Sequence, residues 1–95
     1  MAIKNSSEQI RIGIVGLGYV GLPLAMLFDR HYPVIGFDVS AQRVQQLNRG
    51  VDLTREVDAE SFKHKQRIKF TNEEALLEDC NFFIVTVPTP VDSAM

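Results

Sequence analysis

The chain has 95 residues, 45% hydrophobic and 23% charged, with a formal net charge of −2. That length makes the chain one domain or part of one, too short to hold a large two-domain enzyme, and the composition excludes a disordered chain. The charge balance excludes a global basic field for a nucleic acid or an anionic membrane.

Cys80 is the single cysteine, so no internal disulfide can form. The first nine residues are too polar for a secretory leader, and no apolar run approaches the roughly eighteen residues of a membrane span. These features predict a cytoplasmic protein. Met1 to Gln9 read as a disordered polar lead, and structure is expected from Ile10 onward.

Ile10, Ile12, Ile14 and Val15 form a β-branched run cut off by Gly16, as in a short strand buried on both faces. From Val20 the apolar residues Val20, Leu24, Leu27 and Phe28 fall at helical spacing, with Leu22, Ala25 and Met26 widening the stripe. Pro23 lies early enough to be tolerated in a first turn. Val34 to Phe37 predict a second strand ending at Asp38. Ser40 can cap a helix from Ala41 to Asn48, which Gly50 is placed to end. A short helix around Ala59 to Lys65 and a third strand at Ile68 to Phe70 follow. Thr71-x-x-Glu74 has the pattern of a capping box opening a helix through Leu77. Asn81 to Val87 predict a fourth strand, stopped by the two prolines of Pro88-Thr89-Pro90. Strands alternating with helices need crossovers, which gives an α/β fold: a Rossmann-type doubly wound parallel sheet with helices on both faces, here of about four strands.

Gly16-x-Gly18-x-x-Gly21 leaves the first strand and opens the first helix, and an acidic strand end, Asp38, follows about twenty positions later. Glycine spacing alone is a weak signal, but this context is specific. Gly16 permits a sharp turn, Gly18 lets the backbone approach a pyrophosphate, and Gly21 lets the helix lie close to the strand. Unpaired amides at the helix start, aided by the helix dipole, can bind the phosphates without a cation. Asp38 is placed to accept from ribose hydroxyls, which favours NAD because a 2′-phosphate would meet a carboxylate. Arg43 leaves three options open: stacking on adenine, reaching a ribose hydroxyl, or pairing with a 2′-phosphate.

The segments "IGIVGLGYVGLPLA", "GFDVS" with Arg43 beyond it, and "FFIVTVPTPVD" together resemble the N-terminal NAD-binding domain of the nucleotide-sugar 6-dehydrogenases, the UDP-glucose/GDP-mannose dehydrogenase family. "NRGVDLTREV" looks more like the branch acting on UDP-N-acetylhexosamines (UDP-GlcNAc or UDP-GalNAc) than the UDP-glucose branch. The latter has a Pro-Ile-x-Glu-Pro-Gly-Leu pattern of which only Glu56 is matched. The resemblance implies an oxidoreductase for polysaccharide biosynthesis that oxidises a UDP-sugar C6 alcohol to the uronic acid. Two NAD-dependent steps pass through a thiol-bound intermediate. It also implies a homo-oligomer. Carried onto this sequence, Gly16, Gly18, Tyr19, Val20 and Gly21 form the pyrophosphate turn, Asp38 and Arg43 hold the adenosine ribose, and Val87, Pro88 and Thr89 pass beside the nicotinamide half. Relatives often carry threonine where Val87 stands, so only backbone contact carries over there.

The family's catalytic cysteine, lysine and asparagine belong to regions far downstream, so no catalytic residue and no metal ligand is assigned here. Cys80 is expected to be a small buried residue. His31 and His64 are expected in solvated or core-edge roles, and Lys63, His64, Lys65, Arg67 and Lys69 on a wet basic face. The sequence stops at "TPVDSAM", in an expected connecting loop, and so reads as an excised piece of a longer enzyme, inactive by itself and prone to self-association through an uncovered sheet edge. A nucleotide-sensing Rossmann module and a β-hydroxyacid-type dehydrogenase share the glycine turn. The PTP segment favours the nucleotide-sugar enzymes.

Overall fold

A computed structural model describes residues 10–52 and 57–86. The polar lead, Glu56 and the Val87-Pro88-Thr89 segment lie outside the described residues. Four parallel strands are present among those described: β1 (Ile12–Val15), β2 (Val34–Phe37), β3 (Lys69–Thr71) and β4 (Phe82–Val85), in the order β3-β2-β1-β4. Helix α1 (Gly21–Asp29) joins β1 to β2. Helices α2 (Ala41–Asn48) and α3 (Ala59–Lys63) lie between β2 and β3, and a 3₁₀ turn (Glu74–Asp79) leads to β4. This is the doubly wound α/β architecture expected.

The chain winds outward from β1 to β3 and then returns to pair β4 with the other edge of β1. The reversal makes a switch point between the carboxyl ends of β1 and β4, where open α/β sheets bind ligands. Side chains alternate across β1. Ile12 and Ile14 are buried in the cluster that holds Leu22 and Ala25 of α1 and Val44 and Leu47 of α2. On the opposite face, a Cβ placed on Gly13 would meet Leu77 of the 3₁₀ turn and Phe83 at 3.0 and 2.9 Å, so that turn covers the second face. Phe62 and Phe70 close the α3 side of the core in an edge-to-face pair 6.2 Å apart.

Most element bounds follow the sequence pattern, and three details depart from it. The buried face of α1 is Gly21, Leu22, Ala25 and Asp29, whereas Val20 and Leu27 of the expected stripe are 60% and 52% exposed. The helix is rotated because Gly21 must press against the turn before it. Thr71 closes β3, and its hydroxyl accepts from the Glu73 amide at 3.0 Å, so it shapes a turn instead of opening a capping box. The segment after it is 3₁₀ and runs to Asp79, with no side-chain cap at Glu73. The fourth strand, expected to start at Asn81, starts at Phe82, and at the sheet edge Phe82, Phe83 and Val85 remain exposed.

Asp29 is a buried carboxylate in the last turn of α1, 1% exposed. Its two oxygens accept from the amides of Gln66 and Arg67 at 2.6 and 2.7 Å, which ties the approach to β3 onto α1. Two charge-assisted hydrogen bonds offset the cost of burying it.

Candidate functional site

The turn after β1 is fixed from several directions. Gly16 has φ +103°, in the left-handed region, and a Cβ there would collide with the Thr86 carbonyl. A Cβ on Gly21 would run into the Gly16 carbonyl, so α1 starts against the turn at a distance only glycine allows. A Cβ on Gly18 meets nothing within 4 Å, which leaves clear space on the side where a ligand would lie. Thr86, just past β4, donates its amide to the Val15 carbonyl at 2.7 Å and its hydroxyl to the Gly16 carbonyl at 2.9 Å. Thr86 therefore fastens the end of β4 to the turn. Sequence reasoning passed over it because a threonine inside an apolar strand carries no distinguishing mark.

The start of α1 has no side-chain cap. Val20 occupies the cap position in a helical conformation and makes no capping bond. Among the described residues, the amides of Gly18, Tyr19 and Val20 donate to no protein acceptor, and Tyr19 and Val20 are exposed. Those amides, added to the positive end of the helix dipole, suit a diphosphate.

Asp38 sits at the end of β2 beside the same turn. One oxygen accepts from the Leu17 amide and the other from the Ser40 amide, both at 2.9 Å. A carboxylate offers about four acceptor sites, so roughly two stay available for hydroxyl donors, with the group's orientation already fixed. Arg43 lies across the turn. Its Nε donates to the Leu17 carbonyl at 2.8 Å, Nη2 donates to the same oxygen, and Nη1 reaches Asp52 at 2.8 Å. Three of its five donors are thus spent on protein. The structure brings Gly16, Gly18, Tyr19, Val20, Gly21, Asp38 and Arg43 together at the switch point. The residues that hold this group in place, Leu17, Asp52 and Thr86, were not singled out from sequence.

The remaining candidates lie elsewhere. Cys80 is buried, and desolvation, with help from neighbouring Asp79, pushes its thiol above the ordinary cysteine range. A thiol held protonated is a poor nucleophile. His31 is exposed, and exposed His64 pairs with Glu60 at 3.2 Å. Lys63, Lys65, Arg67 and Lys69 are exposed as well, with Lys65 over the Phe70 ring at 5.7 Å. An open groove of about 500 Å³ lies between α1 and the α3 segment, lined in part by Met26, Leu27, Val57 and Ser61, away from the glycine turn. Among the described residues no cluster of His, Cys, Asp and Glu could hold a metal, and no helix is long and apolar enough to cross a membrane.

Comparison with known proteins shows the family. The chain is 44% identical over 86 residues to UDP-N-acetyl-D-glucosamine 6-dehydrogenase of Salmonella typhi, covering 90% of this chain and 20% of that protein. It is 47% identical over 85 residues to the enzyme of the same name from Pseudomonas aeruginosa, with the same two coverages. The chain thus spans about a fifth of the length of these curated relatives. The solved UDP-D-ManNAc dehydrogenase of Pyrococcus horikoshii superposes with a TM-score of 0.76 at 33% identity, covering 87% of this chain and 21% of that one. Residues 10–95 match the NAD binding domain of the UDP-glucose/GDP-mannose dehydrogenase family, and the chain belongs to that family.

Proposed function

We propose that the protein to which this domain belongs oxidises the C6 alcohol of a UDP-sugar, a UDP-N-acetylhexosamine, to the uronic acid in two NAD-dependent steps, in the cytoplasm, for surface polysaccharide synthesis. The observation that carries this reading is the uncapped amide turn at the β1/β4 switch point with a fixed carboxylate beside it. The sugar is inferred from the named activities of the relatives.

The residues present fit the cofactor. The free amides of Gly18, Tyr19 and Val20 would hold the pyrophosphate, and the open face of Gly18 would let it approach. The free acceptor sites of Asp38 and the two unspent donors of Arg43 would hold the adenosine ribose. By the family resemblance, Val87, Pro88 and Thr89 would pass beside the nicotinamide half. NAD, when bound, supplies the hydride acceptor. What this chain adds is binding and orientation, since its one cysteine is buried and held protonated. The nucleophile and the sugar site are proposed to come from the rest of the protein, which we expect to act as a homo-oligomer.

Gly18→Val tests the site. The side chain has room in the free protein, so stability should change by less than about 0.5 kcal/mol. NAD affinity measured by calorimetry should fall at least about tenfold, the loss of one good ligand contact. Unchanged affinity in a folded variant would refute the site. Absence of NADH formation from UDP-GlcNAc and related UDP-sugars by the full-length protein would refute the activity.

A further inference from the structure

Both backbone groups of Leu17, the residue between the first two glycines, are claimed by side chains from later in the chain. The N–H donates to Asp38, and the carbonyl accepts two bonds from the Arg43 guanidinium. Asp52 stands behind Arg43: one oxygen accepts from Nη1 at 2.8 Å, and the other accepts from the Val57 amide at 2.9 Å. The Asp52 side chain is 0% exposed and that of Arg43 12%. A pair this deeply buried is costly to separate, so Asp52 holds the guanidinium firmly. The guanidinium is a planar fork of donors, so pinning one terminal nitrogen dictates where the others point. Asp52 directs Nε and one Nη2 donor at the turn's own carbonyl.

This arrangement bears on which dinucleotide the site accepts. A 2′-phosphate on the adenosine ribose is commonly accommodated by an arginine near the end of the second strand. Arg43 is in that place. Its charge, however, is already balanced by Asp52, and with Asp38 adjacent the three side chains carry a formal sum of −1. A phosphate monoester adds about 1.5 to 2 negative charges of its own.

We propose that Asp52 is a positioning residue that sets cofactor choice: by pinning Arg43 to the Leu17 carbonyl and neutralising it, Asp52 withholds the cation a 2′-phosphate would need. Two carboxylates then exclude that phosphate in different ways. Asp38 repels it directly, and Asp52 removes its partner. The inference rests on the reading of this turn as an NAD site.

The test is calorimetric titration of the full-length protein with NAD and with NADP, for wild type, Asp38→Asn, Asp52→Asn, Asp52→Ser and the Asp38→Asn/Asp52→Asn double variant. Serine carries no charge and is too short to reach Arg43, so it reports on a released guanidinium even if the asparagine variant folds poorly. Releasing a charged donor should raise the NADP-to-NAD affinity ratio about tenfold in each Asp52 single variant. Asp38→Asn alone should shift the ratio less, and the double variant should exceed the product of the singles, because both side chains act through Leu17. A purely structural Asp52 would weaken both dinucleotides in proportion and leave the ratio fixed, which would overturn the inference. So would a full switch produced by Asp38→Asn alone. A wild type that binds no NAD would overturn the NAD reading itself, and this inference with it.

Discussion

Helices α1 and α2 both start at the carboxyl end of the sheet, yet they are held in opposite ways. The start of α2 is closed: Ser40 accepts from the Arg43 amide at 3.1 Å, the Ser40 amide is bound by Asp38, and the Arg43 side chain is bound below. The start of α1 is open, with an exposed valine at its cap and no side chain on its amides. Helix α1 is instead fastened at its far end, where Asp29 receives two amides from the β3 approach. A carboxylate at a helix C-terminus opposes the dipole, so those two bonds must outweigh an unfavourable charge. The contrast shows what an anion site asks of its scaffold. Among the described residues one helix end is left free of protein partners, and the anchoring that end would have supplied is moved elsewhere.

Substitutions that disturb this division should rank by how much packed structure they touch. Gly16→Ala faces a left-handed φ and a collision with Thr86, and should cost about 3 kcal/mol or more in urea unfolding, together with all cofactor binding. Asp29→Ala removes the acceptor of two amides at the anchored end of α1 and should cost about 2 to 3 kcal/mol. Asp29→Asn, which keeps one acceptor, should lose less. Ser40→Ala opens the closed helix and should cost about 1 kcal/mol in thermal unfolding, with NAD affinity unchanged. If it weakened NAD binding as much as Gly18→Val, the distinction between the two helix starts would fail.

The smallest effect concerns α3, whose cap Asp58 accepts from the Ser61 amide at 2.9 Å. That bond holds its carboxyl below the ordinary value of 3.8. The sign follows from the direction: a depressed folded pKa contributes stability that is complete above the unfolded value and is lost as pH falls through the folded one. Asp58→Asn should therefore match wild type in stability only in acid, below the ordinary carboxylate range. The Ser61 amide shift followed by NMR against pH would check this.

Much of this molecule can be read from its sequence. The first strand, helix, strand and helix are punctuated by Gly16, Asp38, Ser40 and Gly50, residues whose local chemistry admits few alternatives. Periodicity was a weaker guide where apolar residues nearly encircle a helix. In α1, Leu22, Ala25 and Asp29 share a face at three- and four-residue spacing. A carboxylate on an otherwise apolar stripe was the available sign that it is buried and paired. Gly16, Gly18 and Gly21 were legible because each answers a backbone requirement. Asp52 was not, because its role is defined by Arg43 and Val57, partners nine and five residues away whose meeting depends on how α2 is laid down. Thr71 was misread because a turn and a capping box share one sequence pattern, and β3 ends where only the sheet could decide.

The Asp29 clasp joins positions 37 and 38 apart in sequence. It closes one loop containing β2, α2 and α3, so those elements should open together. Amide exchange across them should share a common protection level, with Asp29 as the latch that sets it. Closing a loop of that length also costs entropy before any bond forms, which the two short bonds of the clasp must outweigh.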